Sequence, residues 1–177
     1  MDRRTFGASL LAGAVGLGAA PALAQTRRRP MADMNMQMGP AENRHARDTL
    51  EIGAAALATS RLAQSRGNHP LVRQFAQFEI EESTTLAQII GELSGMAPPP
   101  PAPADRRLLD QLQAARGTDF DRLYITGQID AHRRAREIQD RYLNQGRNTH
   151  HRHIAMLARG RILEHTRELE LIRDLRS

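Results

Sequence analysis

Hydrophobic residues recur at intervals of three and four along most of this chain, which is the spacing of one helix face. Glycine and proline interrupt the pattern and separate four long helices, at about residues 42–66, 70–95, 118–146 and 149–177. A shorter helix is expected over residues 105–116, in the long connection between the second and third helices. Two short connections and one long one predict an all-α fold, an antiparallel four-helix bundle with a short extra helix.

The predicted helix ends carry familiar signals. Pro70 suits a first helical position, and Asn148 or Thr149 can cap the last helix. Thr118 and Asp121 have the spacing of a capping box, in which each side chain accepts the backbone amide of the other residue. We therefore expect the third helix to be capped by its own side chains.

Polar residues interrupt the apolar stripes. The stripe of the second helix consists of Val72, Phe75, Glu79, Glu82, Leu86, Ile89 and Leu93, and that of the fourth consists of Ile154, Ala158, Ile162, His165, Leu169 and Ile172. In the first helix Glu51 shares a face with alanines, and in the third His132 flanks the stripe. Buried charge is costly unless it is paired, hydrogen-bonded or bound to a metal, so these positions are the candidates for function.

The polar side chains fall at similar heights in the predicted bundle. Glu51 and Glu82 lie almost equally far from the turn at Gly67, and His132 and His165 lie within one to two turns of each other across the second hairpin. One inward polar group from each helix is the arrangement of a metal site in a bundle. The predicted ligands are Glu51, Glu82, His132 and His165. Glu79 is expected to be a further ligand or an outer contact, and Tyr124 an outer contact. Mixed carboxylate and imidazole ligands would suit iron, manganese or zinc.

A purely structural polar layer is the alternative interpretation. Pairs of glutamate with histidine, or with Arg136 or Arg161, would neutralise the same groups without a metal. The full Glu-x-x-His pattern of a di-iron bundle is absent, since the second helix has Glu79-x-x-Glu82 and the fourth has His165-x-x-Glu168 in reversed order. The sequence therefore leaves the metal site and the structural layer as competing hypotheses.

Composition narrows the classes of function. The chain has no cysteine, which excludes disulfides and thiolate chemistry. All 25 basic residues are arginine, and they alternate with acidic residues instead of forming a basic block, which argues against nucleic-acid binding. Phosphate-binding glycine loops, nucleophile elbows and His-Glu-x-x-His motifs do not occur, so the sequence does not predict an enzyme.

The first 24 residues have the pattern of an export signal. Arg3 and Arg4 precede a Gly/Ala/Leu stretch, and the small residues Ala22 and Ala24 predict cleavage after Ala24. The paired arginines favour a twin-arginine signal over general secretion, and the apolar run is short for a membrane span. We expect a periplasmic protein without a membrane span after cleavage, while outer-membrane association and a homodimer are left open.

Residues 25–41 are expected to form a disordered spacer before the bundle domain, residues 42–177. The spacer is rich in methionine, with Met31, Met34, Met36 and Met38. Thioether sulfur binds Cu(I), so copper binding by this spacer together with nearby histidines is a weaker alternative function. Those histidines are His150, His151 and His153, which are otherwise expected to be solvated at the start of the fourth helix.

Four segments of the chain are similar to a known family of bacterial proteins. They are LEIG at 50–53, HPLVRQFA at 69–76, GTDFDRLY at 117–124 and LEH at 163–165. These segments resemble the family called domain of unknown function 4142, and Glu51 and His165 also match its pattern. The most specific element is Phe-Asp-x-x-Tyr with a histidine eight residues later, here Tyr124 and His132. The resemblance covers about residues 42–175 and implies an exported, ferritin-like bundle, often labelled as an outer-membrane protein.

The chain departs from that family at one place in the second helix. Where the family usually has an Asp-His pair, this chain has Glu82 and Ser83, so any metal ligand there is either lost or replaced by Glu82. The family has no established activity, and a fold alone does not supply one. The sequence thus predicts an exported ferritin-like bundle of unassigned activity, with metal-ion binding for storage or stress protection as the leading specific hypothesis. The alternative is a non-catalytic envelope module with a buried Glu/His layer.

Overall fold

A computed structural model describes residues 37–175, which form five α-helices. They are α1 at Pro40–Arg66, α2 at Pro70–Ser94, α3 at Pro103–Ala114, α4 at Gly117–Gln145 and α5 at Thr149–Asp174. The all-α bundle predicted from the sequence is confirmed. The predicted signal at residues 1–24 and most of the predicted spacer lie outside the described residues.

The long helices run antiparallel to their neighbours. Glu42, near the start of α1, contacts Tyr142, near the end of α4. Asp121, near the start of α4, bonds the turn that follows α1. α1 and α4 therefore run in opposite directions. α2 and α4 therefore run in the same direction at opposite corners, and the chain must cross the length of the bundle between them. The proline-rich residues 95–102 and α3 make this crossover, and α3 packs on α1 and α4.

The larger apolar cluster fills the end of the bundle where α1 stops. Its buried members are Ala63, Val72, Phe75, Ala76, Leu112, Phe120, Tyr124, Ile125, Leu169 and Ile172. α3 adds Leu112 to this cluster and lays Leu108 over Gly127 of α4. A Cβ on Gly127 would lie 2.6 Å from Cδ2 of Leu108, so glycine is what lets α3 approach α4 this closely. A smaller cluster of Ala46, Leu50 and Ile90 lies at the other end.

Two of the predicted helix-end signals are confirmed, and one is wrong. Pro70 does begin α2, and the Asn148 side chain does cap α5 by accepting the backbone N–H of His151 at 3.1 Å. The predicted capping box of α4 is wrong, because no side chain caps that helix. The buried carboxylate of Asp121 instead accepts the backbone N–H groups of Asn68 and His69, at 2.8 and 2.9 Å. Asp121 therefore bonds the turn before α2 and joins the first hairpin to α4, while His69 caps α2 by accepting the backbone N–H of Leu71 at 3.2 Å.

One side of the bundle is open. α2 and α5 touch far less than the other neighbouring pairs of long helices do, and an apolar groove of about 420 Å³ runs between them. Phe78 and Ile89 of α2 and Leu157 of α5 line this groove, and each is at least 40% exposed. None of the described helices combines the length and the apolar character needed to cross a membrane.

Candidate metal centre

Three buried side chains from three helices converge inside the bundle. Glu79 of α2, His132 of α4 and His165 of α5 are 6, 6 and 3% exposed. Oε2 of Glu79 lies 3.4 Å from Nε2 of His132 and 3.2 Å from Nδ1 of His165, and the two nitrogens are 3.4 Å apart. Within residues 37–175, no other group of three carboxylate or imidazole side chains is placed to share one metal ion. We call these three residues the triad.

The spacing of the three ligand atoms fits a metal ion. Ligands bound tetrahedrally at ~2.0–2.1 Å are about 3.3 Å from one another, and the atoms of the triad are separated by 3.2 to 3.4 Å. Two imidazoles and one carboxylate are donors that zinc, iron and manganese accept. Three protein ligands also leave a coordination position for a water molecule or another small ligand.

Two outer hydrogen bonds orient Glu79 and His132. Ser83, one helical turn after Glu79, donates its hydroxyl to Oε1 of Glu79 at 3.0 Å, which leaves Oε2 facing the histidines. Nδ1 of His132 lies 2.8 Å from the backbone carbonyl oxygen of Gln128. Because a carbonyl only accepts, Nδ1 of His132 carries a proton and Nε2 is the atom presented to the triad. Outer contacts of this kind orient the ligands of metal sites.

His165 is held by contacts with its edge and its ring. Its Nε2 lies 3.0 Å from Nη2 of Arg161 and 3.5 Å from Oε2 of Glu82, while Nδ1 faces Glu79. The ring of Phe75 meets the His165 ring edge to face, with the centroids 5.2 Å apart. Polar contacts and packing together define the direction in which the imidazole points.

Burial and charge shift the pKa values within the triad in opposite directions. Burial would raise the pKa of the Glu79 carboxyl, but hydrogen bonds and charge from His132 and His165 hold it well below its usual range. Burial would lower the pKa of His132, but its hydrogen bond to Glu79 and the charge of that carboxylate raise it. Glu79 is therefore ionised and depends on a neighbouring positive charge, which either a protonated histidine or a metal ion can supply.

The triad forms part of the wall of a small cavity between the long helices. The cavity has a volume of about 60 Å³. One water molecule needs ~10–15 Å³, so this cavity admits only a few waters or another small molecule. Its apolar lining includes Ile52, Ala56, Leu86, Ala131, Ala158 and Ile162. A metal ion in the triad would thus keep its free position in a confined, mostly apolar space.

The structure brings only some of the predicted ligands together. His132 and His165 are both in the triad, and Glu79, predicted as a further ligand or an outer contact, provides the central carboxylate. Glu82 lies outside the triad, where Oε2 accepts a hydrogen bond from Nε of Arg161 at 3.1 Å. Two successive carboxylates of one stripe thus have different positions, Glu79 inside the bundle and Glu82 at its open side.

Two other predicted residues lie away from the triad. Glu51 is half-buried and borders a surface pocket with Asp105 and Arg134, on another side of α1. The hydroxyl of Tyr124 is 2.8 Å from Oγ of Ser60, within the apolar end of the bundle. Neither residue contributes a ligand atom to the cluster that could share a metal ion.

A second buried polar cluster, not predicted from the sequence, lies where α1 and α5 begin. Its members, which we call the end cluster, are Glu42, His45, Gln139, Tyr142, Asn148 and His151. Glu42 accepts the Tyr142 hydroxyl at 3.0 Å and three backbone N–H groups, those of Gly39, Arg147 and Asn148, at 3.0 to 3.2 Å. Burial would raise the pKa of Glu42, but these hydrogen bonds lower it to about 2.

The histidines of the end cluster are held in the neutral form. Nε2 of His45 donates to Oε1 of Gln139 at 2.8 Å, and its Nδ1 lies 3.0 Å from Nδ1 of His151. The His45 ring also stacks on Tyr142, with the centroids 4.1 Å apart. Burial lowers the pKa of His45 to about 4 and also lowers that of His151. The expectation that His151 is solvated is wrong, because it is fully buried.

A sequence signal for the end cluster did exist. Along α1, alternate steps of three and four connect buried residues only: Glu42, His45, Thr49, Ile52, Ala56, Thr59 and Ala63. The polar members obscure this stripe, and the abundant alanines of α1 allow other faces to look equally apolar. The face chosen from the sequence, which includes Glu51, is rotated away from the one that is buried.

The structure defines the class of this protein as an all-α bundle with a buried carboxylate–histidine triad. The chain belongs to the family described as a domain of unknown function (DUF4142), whose sequence profile matches residues 26–172. The family resemblance seen in the sequence is thereby confirmed. No curated protein and no solved structure matches the chain.

Proposed function

We propose that this protein binds a divalent transition-metal ion, zinc, iron or manganese, through Glu79, His132 and His165. The convergence of three ligand atoms at 3.2 to 3.4 Å in a buried site is the observation that supports this function most directly. A metal ion would supply the positive charge that the buried carboxylate needs, in the geometry that its ligands prefer. Metal storage, buffering or protection against oxidative stress are the roles consistent with such a site.

Export to the periplasm is part of the proposal. It is supported by Arg3, Arg4 and the small residues before position 25, which have the pattern of a cleaved signal. Mass spectrometry of the periplasmic protein should give a chain that begins at Gln25. Replacement of both arginines by lysine should stop export if the twin-arginine route is used, whereas unchanged export would indicate general secretion.

Metal content tests the central claim. The untagged protein, purified from its natural compartment without chelators, should contain close to one metal ion per chain by elemental analysis. Glu79→Gln should remove that ion, because the amide loses the charge while the side chain keeps its size. Glu51→Gln is the matched control, since it changes a half-buried carboxylate of α1 outside the triad and should keep the metal.

The structural alternative predicts a different result. Every member of the triad also has a protein partner, so the layer could serve only to position the helices. In that case the wild-type protein would be folded and metal-free, and it would not take up added Zn²⁺, Fe²⁺ or Mn²⁺. Glu79→Gln would then alter the free energy of unfolding without altering metal content.

A further inference from the structure

We infer that Arg161 and Glu82 compete for Nε2 of His165 and so set how tightly the triad holds its metal ion. The inference rests on the proposed function and assigns opposite effects to two residues that do not themselves bind the ion. Arg161 is expected to oppose metal binding, and Glu82 is expected to promote it.

The competition follows from the contacts of one nitrogen atom. Nη2 of Arg161 lies 3.0 Å from Nε2 of His165, and Oε2 of Glu82 lies 3.5 Å from the same atom. A guanidinium group only donates hydrogen bonds, and a carboxylate only accepts them. Nε2 therefore either presents a lone pair to Arg161 or presents a proton to Glu82, but it cannot do both.

This choice determines the state of the other ring nitrogen. A neutral imidazole carries one proton, so when Arg161 donates to Nε2 of His165 the proton is on Nδ1, where it bonds Glu79. Nδ1 then has no lone pair for a metal ion. A bound ion requires the other tautomer, in which Nδ1 loses its proton to solvent and Nε2 gains one. Glu82 accepts that new N–H, as carboxylates commonly do behind a metal-bound histidine.

Arg161 donates from Nε to Oε2 of Glu82 at 3.1 Å, and only its Nη2 contacts His165, so Nη2 can turn away from His165 at the open side of the bundle. The side chain of Arg161 is 50% exposed, and it borders the groove between α2 and α5 together with Glu82, which is 30% exposed. Arg161 also forms a surface ion pair with Glu164 at 2.5 Å, which can retain the guanidinium once it moves away from Nε2. The change of tautomer therefore needs a side-chain movement at the surface and no rearrangement of the helices.

The opposite effects of Arg161 and Glu82 on metal binding can be tested by measuring the Zn²⁺ affinity of four variants. Arg161→Met should bind Zn²⁺ about tenfold tighter, because a larger fraction of His165 is in the binding tautomer. Glu82→Ala should bind about tenfold more weakly, because the metal-bound imidazole loses its acceptor. Arg159→Met and Glu81→Ala are the matched controls. Arg159 is a similarly exposed arginine paired with Asp140, Glu81 is an exposed carboxylate of the same helix, and neither lines the triad cavity.

The tautomer of His165 distinguishes this mechanism from a simple effect of removing the positive charge of Arg161. Nitrogen-15 NMR of histidine-labelled, metal-free protein should show the proton of His165 on Nδ1 in the wild type and a larger fraction of it on Nε2 in Arg161→Met. A wild-type proton on Nε2, or an Arg161→Met affinity equal to that of Arg159→Met, would overturn the inference. Wild-type protein that binds no Zn²⁺ would instead overturn the proposed function, and the metal-free spectra would still decide whether Arg161 sets the tautomer.

Discussion

The triad and the end cluster both bury a glutamate beside two histidines, yet they satisfy the carboxylate in different ways. Glu42 of the end cluster accepts three backbone N–H groups and one tyrosine hydroxyl, which are donors with fixed positions and no charge. Glu79 of the triad is bonded only by side chains, two of which are imidazoles with exchangeable protons. Backbone donors give a carboxylate a structural role, whereas an imidazole can lose the proton that bonds the carboxylate, so that a metal ion can take the place of that proton.

Loss of Glu42 should have the largest effect on stability. Glu42→Ala leaves buried donors without an acceptor, and we expect the free energy of unfolding to fall by about 4 kcal/mol. Urea unfolding at neutral pH measures this change. Metal content should be unchanged in the fraction that remains folded. A loss below about 1 kcal/mol, the size of one ordinary hydrogen bond, would contradict the structural role given to this carboxylate.

Metal addition should affect only the triad. Zn²⁺ at a thousand times its dissociation constant should raise the free energy of unfolding of the wild type by about 4 kcal/mol. The same increase is expected in Glu42→Gln, whose triad is intact, and no increase is expected in Glu79→Gln. Urea unfolding with and without Zn²⁺ gives both values. Equal stabilisation of all three proteins would place the metal somewhere other than the triad.

Acidification should act on the end cluster through His45. The pKa of His45 is about 4 in the folded protein and 6.5 normally, so the unfolded chain binds its proton first as the pH falls. Stability is therefore complete above pH 6.5 and is lost towards pH 4, by about 3 kcal/mol from this group. His151 contributes with the same sign. His45→Gln should be less stable at pH 7 but should lose less between pH 7 and 4.5, and parallel losses in both proteins would refute this assignment.

The hydroxyl behind Glu79 should matter for metal binding and little for stability. Ser83→Ala removes the hydrogen bond to Oε1 of Glu79, and Zn²⁺ affinity should fall about tenfold. The free energy of unfolding of the metal-free protein should change by only about 1 kcal/mol, because one neutral hydrogen bond is lost. Thr84→Ala is a suitable control, since that exposed hydroxyl bonds only the carbonyl of its own helix. Unchanged affinity in Ser83→Ala would show that this contact does not orient the ligand.

The inward direction of the triad side chains could be predicted from the sequence because the helices that carry them have clear apolar stripes. Glu79 and His165 occupy positions in which a leucine would be expected, and His132 is next to a buried alanine, so their inward direction follows from helical periodicity. The choice between Glu79 and Glu82 could not be made in this way. Both belong to the same stripe, and only the open edge between α2 and α5 decides that Glu82 faces the groove.

The first helix shows where periodicity was insufficient. Small residues occur on most sides of α1, so a rotation of one residue, about 100° around the axis, changes the apparent pattern very little. That rotation separates the predicted inward Glu51 from the buried stripe that begins at Glu42 and His45. Asp121 posed a similar problem, because a carboxylate at that position can accept N–H groups of its own helix or of a neighbouring turn.

The sequence by itself determined the helices, the two tight hairpins, the long crossover and the family, because these depend on local periodicity, on glycine and proline, and on residue motifs. The tertiary structure alone decided which buried polar groups meet. Helix rotation depends on packing against several partners at once, and the open edge between α2 and α5 decides which carboxylate of one stripe faces the interior. For that reason Glu79 joins His132 and His165, while Glu51 and Glu82 do not.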